Sequence, residues 1–240
     1  MRILITNDDG IQGEGLRVLT RWAMQLGDVT VIAPKVEQSA KSHAIEIRKP
    51  FEAKKVDYLP GVTAWAVDST PADCVRFAIL GLEEKFDLVL SGINRGLNIG
   101  QDIIYSGTVS AVMEAGYLGL PAIAFSTEPE QFRTAADHLQ SVWDLFQAEK
   151  LLEQNPVYNV NIPLTVHGTR FTRQGGPYFS DRFLPVGNDL YQPKGGSIYV
   201  DHHDYSIDTD AALHGYISIT PLTLDRTERT VFEQLKKRNP

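Results

Sequence analysis

Short apolar runs rich in β-branched residues recur along this 240-residue chain, and glycine, proline or polar residues stand between them. Within the runs, apolar residues follow one another instead of alternating with polar ones, which is typical of strands buried on both faces of a parallel sheet. The runs occupy residues 2–6, 29–33, 63–67, 87–91, 121–125, 158–162 and 215–222.

Between several of these runs, apolar residues recur at spacings of three and four, which indicates amphipathic helices. The helical patterns cover residues 16–26, 75–82, 109–117 and 132–152. Thr70 and Pro71 precede the second pattern and suit the N-cap and the first position of a helix. Strands that alternate with helices predict an α/β fold with a doubly wound, mostly parallel sheet and right-handed crossovers.

The pattern changes after about residue 165. Residues 168–216 are rich in aromatic side chains, contain two glycine pairs and show no helical periodicity, so they predict a β-hairpin arm. Exposed aromatic residues on an arm suit contact between subunits. A short terminal helix is predicted at 228–237. We therefore expect a core, residues 1–165, and a C-terminal region, residues 166–240, whose arm, returning strand and tail helix serve oligomerisation.

Composition limits the cellular compartment and the classes of partner that are expected for this chain. The formal net charge is -7, whereas nucleic-acid-binding proteins usually carry a basic face, so no nucleic acid duplex is expected as a partner. The single cysteine excludes an intrachain disulfide and fits a reducing compartment. No apolar run approaches the roughly 18 residues of a membrane span. Together these features predict a cytoplasmic protein with no membrane partner.

Two adjacent carboxylates, Asp8 and Asp9, directly follow the first predicted strand. Ser39 and Asn94 follow two other strands, and the carboxyl ends of parallel strands lie at one edge of a sheet. All four side chains offer oxygen atoms, which suit Mg²⁺, Mn²⁺ or Ca²⁺. Both carboxylates can face one cation only if the strand turns at Asn7 or Asp8, because successive strand side chains point to opposite faces. Alternatively, one aspartate caps a helix and the other is solvated.

Ser106, Gly107 and Thr108 stand at the predicted start of the helix over residues 109–117. Free backbone N–H groups and the helix dipole make such a start a site for an anion such as phosphate. The alternative interpretation is an ordinary N-cap. A neighbouring cation favours the phosphate interpretation, since a cation together with anion donors is suited to phosphoryl chemistry.

A second group of metal-ligand residue types, His202, His203 and Asp204, lies in the predicted arm region. The sequence around it offers no matching partners. A solvated turn is therefore the expected interpretation, because exposed histidines need no special role.

Taken together, five segments resemble the survival protein SurE family of metal-dependent phosphatases that act on nucleoside monophosphates. They are ILITNDDGI at 3–11, Ser39 after the second strand, STPADCV at 69–75, residues 87–116 with the motifs SGINRGLN and YSGTV, and GYISITPL at 215–222. The resemblance implies a Rossmann-like core, and homodimers or homotetramers built through the C-terminal arm and tail. Ala40 stands where the family usually has glycine.

The same resemblance implies site residues. It implies one divalent cation per subunit, Mg²⁺ or Mn²⁺, held by Asp8, Asp9, Ser39 and Asn94. It also implies phosphate contacts from Asn98, Ser106, Gly107 and Thr108.

The expected function is a 5′-nucleotidase that hydrolyses nucleoside monophosphates to nucleoside and phosphate by metal-activated water. Asp8 and Asn98 are the expected catalytic residues: Asn98 stabilises the phosphate oxygens, and Asp8 acts as a ligand or, alternatively, as a base or a nucleophile. Two other hypotheses stay open. One is a nucleotide-sensing protein without turnover, and the other is a metal-dependent hydrolase of sugars or amides.

Overall fold

The computed structural model describes residues 1–238, and within them it contains eleven strands and seven α-helices. The strands are β1 (Arg2–Thr6), β2 (Asp28–Pro34), β3 (Ala53–Lys55), β4 (Thr63–Val67), β5 (Leu88–Arg95), β6 (Ala122–Thr127), β7 (Val157–Ile162), β8 (Gly168–Phe171), β9 (Phe179–Gly187), β10 (Leu190–Ser197) and β11 (Tyr216–Pro221). The helices are α1 (Glu14–Ala23), α2 (Pro71–Arg76), α3 (Gly107–Tyr117), α4 (Phe132–Ala148), α5 (Leu151–Gln154), α6 (Asp208–Leu213) and α7 (Arg229–Lys236).

Nine strands form one sheet in the order β3-β4-β2-β1-β5-β6-β7-β11-β8. The pairings are parallel except where β3 meets β4 and where β11 meets β7. The chain builds outward from β1 through β2 to β4 on one side, and from β5 through β6 to β7 on the other. The strand order therefore reverses between β1 and β5, and open α/β sheets bind ligands at such a point.

Helices cover both faces of the sheet. Ile3 and Ile5 of β1 pack in one buried cluster with residues of α1 and α4, whereas Leu4 packs in a second cluster with residues of α2 and α3. This alternation along β1 follows from the two-residue period of a strand. The doubly wound α/β prediction is confirmed, together with the C-terminal hairpin and the terminal helix.

Local capping explains where two of the helices begin. Thr70 accepts a hydrogen bond from the Asp73 backbone N–H at 3.1 Å, and Pro71 occupies the first helical position of α2. Ser106 caps α3 in the same manner, since its hydroxyl accepts from the Val109 N–H at 3.1 Å. Both helix starts agree with the predictions.

Three features differ from the predicted elements. β5 continues to Arg95, so Asn94 lies on the strand and not beyond it, and the pairing of β5 with β6 shifts between Ser91 and Asn94. The short strands β3 and β8 were not predicted, because three and four residues are too few to show a periodic pattern. The expectation that residues 168–216 contain no helix is wrong, because α6 lies there; its six residues span less than two turns and show little periodicity.

The C-terminal region contributes to the sheet as well as to the arm. β9 and β10 pair only with each other among the described strands, and their side chains are mostly exposed. β8 and β11, in contrast, are strands of the nine-stranded sheet. The division into a core of residues 1–165 and a C-terminal region of residues 166–240 stays a prediction. None of the helices within residues 1–238 is long and apolar enough to span a bilayer.

Helix α1 packs closely on β5 at Gly15, so the fold leaves no room for a side chain at this position. A Cβ atom at Gly15 would lie 1.9 Å from the carbonyl oxygen of Ile93. Gly15→Ala is therefore expected to destabilise the protein by about 1–3 kcal/mol, because overpacking forces the backbone apart. The urea midpoint of unfolding measures the effect. Gly176→Ala is the control, since nothing lies within 4 Å of a Cβ there; equal midpoints for the two variants would contradict the prediction.

Candidate active site

The candidate site lies where the strand order reverses, at the carboxyl ends of β1 and β5. β1 ends at Thr6, and Asp8 and Asp9 occupy the bend that follows. Gly10 has φ +92°, a left-handed conformation that suits glycine, and the Asn7 side chain donates to the Gly10 carbonyl oxygen at 3.0 Å. The chain thus leaves the strand before Asp8, as a shared cation would require. A cation shared by both carboxylates stays a prediction.

Asp8 is buried against the N-terminus of α3. Its Oδ1 accepts a hydrogen bond from the Thr108 hydroxyl, and the backbone of Gly107 and Thr108 also faces its carboxylate. A Cβ atom at Gly107 would lie 2.7 Å from the Asp8 Cβ, so glycine permits this close approach. Burial raises the pKa of Asp8 above its usual value despite these hydrogen bonds.

Asp9 lies beside Asp8 and contacts the end of β5. Its Oδ2 accepts from the Arg95 backbone N–H at 3.2 Å. Burial and then the negative charge of Asp8 raise the pKa of Asp9 to about 6. Within residues 1–238, no lysine, arginine or histidine forms an ion pair with either carboxylate. No ion pair among the described residues therefore neutralises these carboxylates, although the charge of Arg95 partly opposes the rise in the pKa of Asp9.

Ser39 lies in the loop after β2, which docks on the Asp8–Asp9 bend. The Gln38 N–H donates to the Asp8 carbonyl oxygen at 2.7 Å. The Ser39 hydroxyl is exposed and donates to Glu37 Oε1 at 2.7 Å. The structure thus brings the Ser39 loop to the site but directs the hydroxyl toward Glu37. Ala40 has φ +58°, which fits a position where glycine is usual.

The same loop is anchored further along the chain by His43. His43 Nε2 lies 2.8 Å from Glu114 Oε2, and Arg76 donates to the other oxygen of Glu114 at 2.8 Å. His43 therefore connects the loop to α3 and makes no hydrogen bond to either aspartate.

Asn94 lies on β5 next to the register shift, with its side-chain nitrogen donating to the Gly96 carbonyl oxygen at 2.8 Å. Its amide oxygen is the atom left to contact a cation. The four predicted ligands thus come from three strand ends, and all of them offer oxygen.

Asn98 is held by three polar residues that were not predicted. Its backbone N–H donates to Asn161 at 2.8 Å, and its carbonyl oxygen accepts from Asn159 and Asn161 at 2.8 and 2.9 Å. Its side-chain amide donates to the Ser126 hydroxyl at 2.8 Å. The sequence signal was the pair Asn159 and Asn161 on one face of a buried strand, where polar residues require partners.

At the start of α3, the Ser106 hydroxyl retains capacity to donate to an anion. The Ser106 hydroxyl oxygen accepts the capping bond, which leaves its hydrogen free to donate. The Thr108 hydroxyl, in contrast, already donates to Asp8. The N-cap interpretation therefore describes Ser106 in the structure, and a phosphate contact from the same hydroxyl stays a prediction.

Two cavities flank this region. The smaller, about 200 Å³, includes Asp9, Glu37 and Arg95 in its lining. The larger, about 900 Å³, is not lined by either aspartate, but Tyr105 and Ser110 at its wall lie within four residues of Ser106. Its volume lies in the range of small-molecule sites.

The donor chemistry fits a hard divalent cation. The candidate ligands are carboxylate, amide and hydroxyl oxygens, and two of them are carboxylates without a basic partner among the described residues. Burial and then repulsion by Asp8 raise the pKa of Asp9, and a cation between the two carboxylates would offset this repulsion.

Fold and site together define a doubly wound α/β protein with an acidic centre at the switch point, beside a helix N-terminus. The profile of the family described as Survival protein SurE matches residues 3–181, and the chain belongs to this family.

A protein called 5′-nucleotidase SurE from Thermosipho melanesiensis is 38% identical over 250 residues, covering 99% of this chain and 97% of the relative. One from Gemmatimonas aurantiaca is 42% identical, covering 96% of each. The crystal structure of Sure protein from Aquifex aeolicus has a TM-score of 0.81, with 34% identity and 99% coverage of both chains.

Binding of a divalent cation at the aspartate pair should depend on pH. A carboxylate ligand must be ionised, and the pKa of Asp9 is about 6 in the cation-free protein. The affinity for Mn²⁺ is therefore expected to fall about tenfold or more for each pH unit below 6. Titration of Mn²⁺ between pH 5 and 8, followed by electron paramagnetic resonance of the free ion, measures this. Exposed Asp57→Asn should leave the profile unchanged; a flat wild-type profile would contradict the prediction.

Proposed function

We propose that the protein is a metal-dependent phosphomonoesterase that hydrolyses nucleoside 5′-monophosphates to nucleoside and phosphate. One divalent cation per subunit, Mg²⁺ or Mn²⁺, would serve the reaction. The observation that carries the proposal is the unpaired Asp8–Asp9 carboxylate pair beside the N-terminus of α3. The relatives called 5′-nucleotidase SurE, about 40% identical over nearly the whole chain, support nucleotidase activity.

Each proposed ligand comes from an element that the fold brings to the switch point. Asp8, Asp9, Asn94 and, after rotation of its hydroxyl away from Glu37, Ser39 would hold the cation. When bound, the cation would neutralise phosphate charge and lower the pKa of water, so that hydroxide is available as nucleophile near neutral pH.

The remaining groups would hold the phosphate. The free Ser106 hydroxyl hydrogen would donate to its oxygens, and the dipole of α3 would favour its negative charge. Asn98 keeps a second amide hydrogen after its bond to Ser126, and its backbone is fixed by Asn159 and Asn161. Such fixed donors stabilise developing charge without reorganisation. The 900 Å³ cavity near Ser110 is a candidate place for the nucleoside.

Asp8 has a second proposed role at the reacting centre. Burial raises its pKa, and the Thr108 hydroxyl fixes the orientation of its carboxylate. A carboxylate held in a fixed orientation at the reacting centre can accept a proton from water. Asp8 would therefore accept a proton from the attacking water, with direct attack by its carboxylate as the other route.

Phosphate release from AMP in the presence of Mn²⁺ tests the proposal. Asp8→Asn is expected to lower kcat at least a hundredfold, because both a ligand and the proposed base are lost. Asp57→Asn, an exposed position, should keep wild-type activity, and circular dichroism should show that both variants are folded. AMP binding without phosphate release by the wild type would favour a nucleotide sensor instead. Full activity of Asp8→Asn would overturn the proposed metal chemistry.

A homodimer or homotetramer built through the arm and tail, and a cytoplasmic location, stay predictions. The exposed apolar side chains Phe183, Leu190 and Tyr191 of β9 and β10 are consistent with subunit contact.

A further inference from the structure

Three metal-ligand side chains converge at the base of the hairpin arm, away from the aspartate pair. They are Asp201 and His203, in the segment between β10 and α6, and His214, which follows α6. Their ligand atoms all lie within 4.8 Å of one another. All three residues lie outside the segment 3–181 that matches the family profile. The expected solvated turn at 202–204 therefore has partners that sequence reasoning did not identify.

The two histidine donor atoms both lie close to one carboxylate oxygen. Asp201 Oδ2 lies 2.7 Å from His214 Nε2 and 3.2 Å from His203 Nδ1. A tetrahedral Zn²⁺ site with bonds of about 2.0–2.1 Å places its ligand atoms about 3.3 Å apart. Small shifts of these side chains would therefore admit an ion between them.

The segment that carries two of the donors is fixed by buried contacts. Asp210 of α6 is fully buried, and its Oδ2 accepts from the backbone N–H groups of His202 and Asp204 at 3.0 and 2.9 Å. The Tyr199 hydroxyl donates to the other oxygen of Asp210 at 3.0 Å. The His203 N–H donates to Asp201 Oδ1 at 2.8 Å, which holds this carboxylate beside the imidazole. The donors are thus positioned by the fold before any ion arrives.

Access and ligand chemistry both suit a transition metal. The His203 side chain is 76% exposed, whereas those of Asp201 and His214 are 29% and 33% exposed. An ion could therefore enter from solvent and keep a water as its fourth ligand. Two imidazoles and one carboxylate favour Zn²⁺, Co²⁺, Ni²⁺ or Cu²⁺ over Mg²⁺, which prefers oxygen ligands.

We propose that Asp201, His203 and His214 form a second metal site, selective for Zn²⁺ and related transition metals. A bound ion connects the segment that returns from the arm to the C-terminal end of α6, next to β11. It therefore stabilises the base of the arm. This site is chemically distinct from the all-oxygen aspartate site, and it does not depend on the proposed nucleotidase activity.

Zn²⁺ titration of the chelator-treated full chain tests this site, with Mg²⁺ in excess to occupy the aspartate site. A chromophoric chelator reports the free Zn²⁺. One Zn²⁺ per chain is expected to bind in wild type and equally in Asp8→Asn. His203→Ala and His214→Ala are each expected to weaken this binding at least tenfold. His202→Ala is the matched control, because it removes a neighbouring imidazole and retains the backbone N–H that contacts Asp210.

A second measurement separates metal binding from a folding defect. Zn²⁺ should raise the Tm of wild type and of His202→Ala, but not that of the His203→Ala/His214→Ala double variant, whose circular dichroism should match wild type. Co²⁺ should give the intense visible absorption of a tetrahedral nitrogen and oxygen site in wild type and in His202→Ala, but not in the double variant. The proposal is overturned if wild type takes up no Zn²⁺ in excess Mg²⁺, or if both single variants bind it as tightly as wild type.

Discussion

The contact between the buried Asp8 carboxylate and the N-terminus of α3 connects the fold to its candidate chemistry. A carboxylate can lie there only because the helix start offers N–H groups and the Thr108 hydroxyl, and because Gly107 has no side chain. The contact also requires β1 and β5 to be neighbours with α3 on one face. The sheet order, the helix position and the acidic site are therefore parts of one arrangement.

Much of the fold could be predicted because its signals are local. Continuous apolar runs identified the central strands, and Thr70-Pro71 and Ser106-Gly107 marked helix starts that the structure confirms. The short edge strands and α6 could not be predicted, because so few residues show no period. For the site, the convergence of strand ends was predictable, whereas the hydrogen bonds of Asn98 with Asn161 and Ser126 depend on tertiary contacts.

The group of metal-ligand residues at the base of the arm could not be predicted from local sequence patterns. His203 and Asp201 are near in sequence, but His214 follows α6 and reaches Asp201 only in the folded chain. Since no helix was predicted between them, the third donor could not be assigned. The buried Asp210, whose carboxylate organises that segment, likewise has its role only in the folded chain. Because the six-residue helix α6 was not predicted, the grouping of Asp201, His203 and His214 was not predicted either.

Negative charge at the aspartate pair also affects stability. Burial and mutual repulsion raise the pKa of Asp9 from 3.8 to about 6, so the folded state holds a proton that the unfolded chain releases at lower pH. Ionisation of this carboxyl therefore lowers the stability of the fold progressively between pH 3.8 and about 6, and the full loss persists above pH 6. A divalent cation at the proposed site would reverse the sign, because it would bind the ionised folded pair more tightly than the unfolded chain. The charge of the proposed catalytic pair thus destabilises the folded state, and the proposed cation would offset this destabilisation.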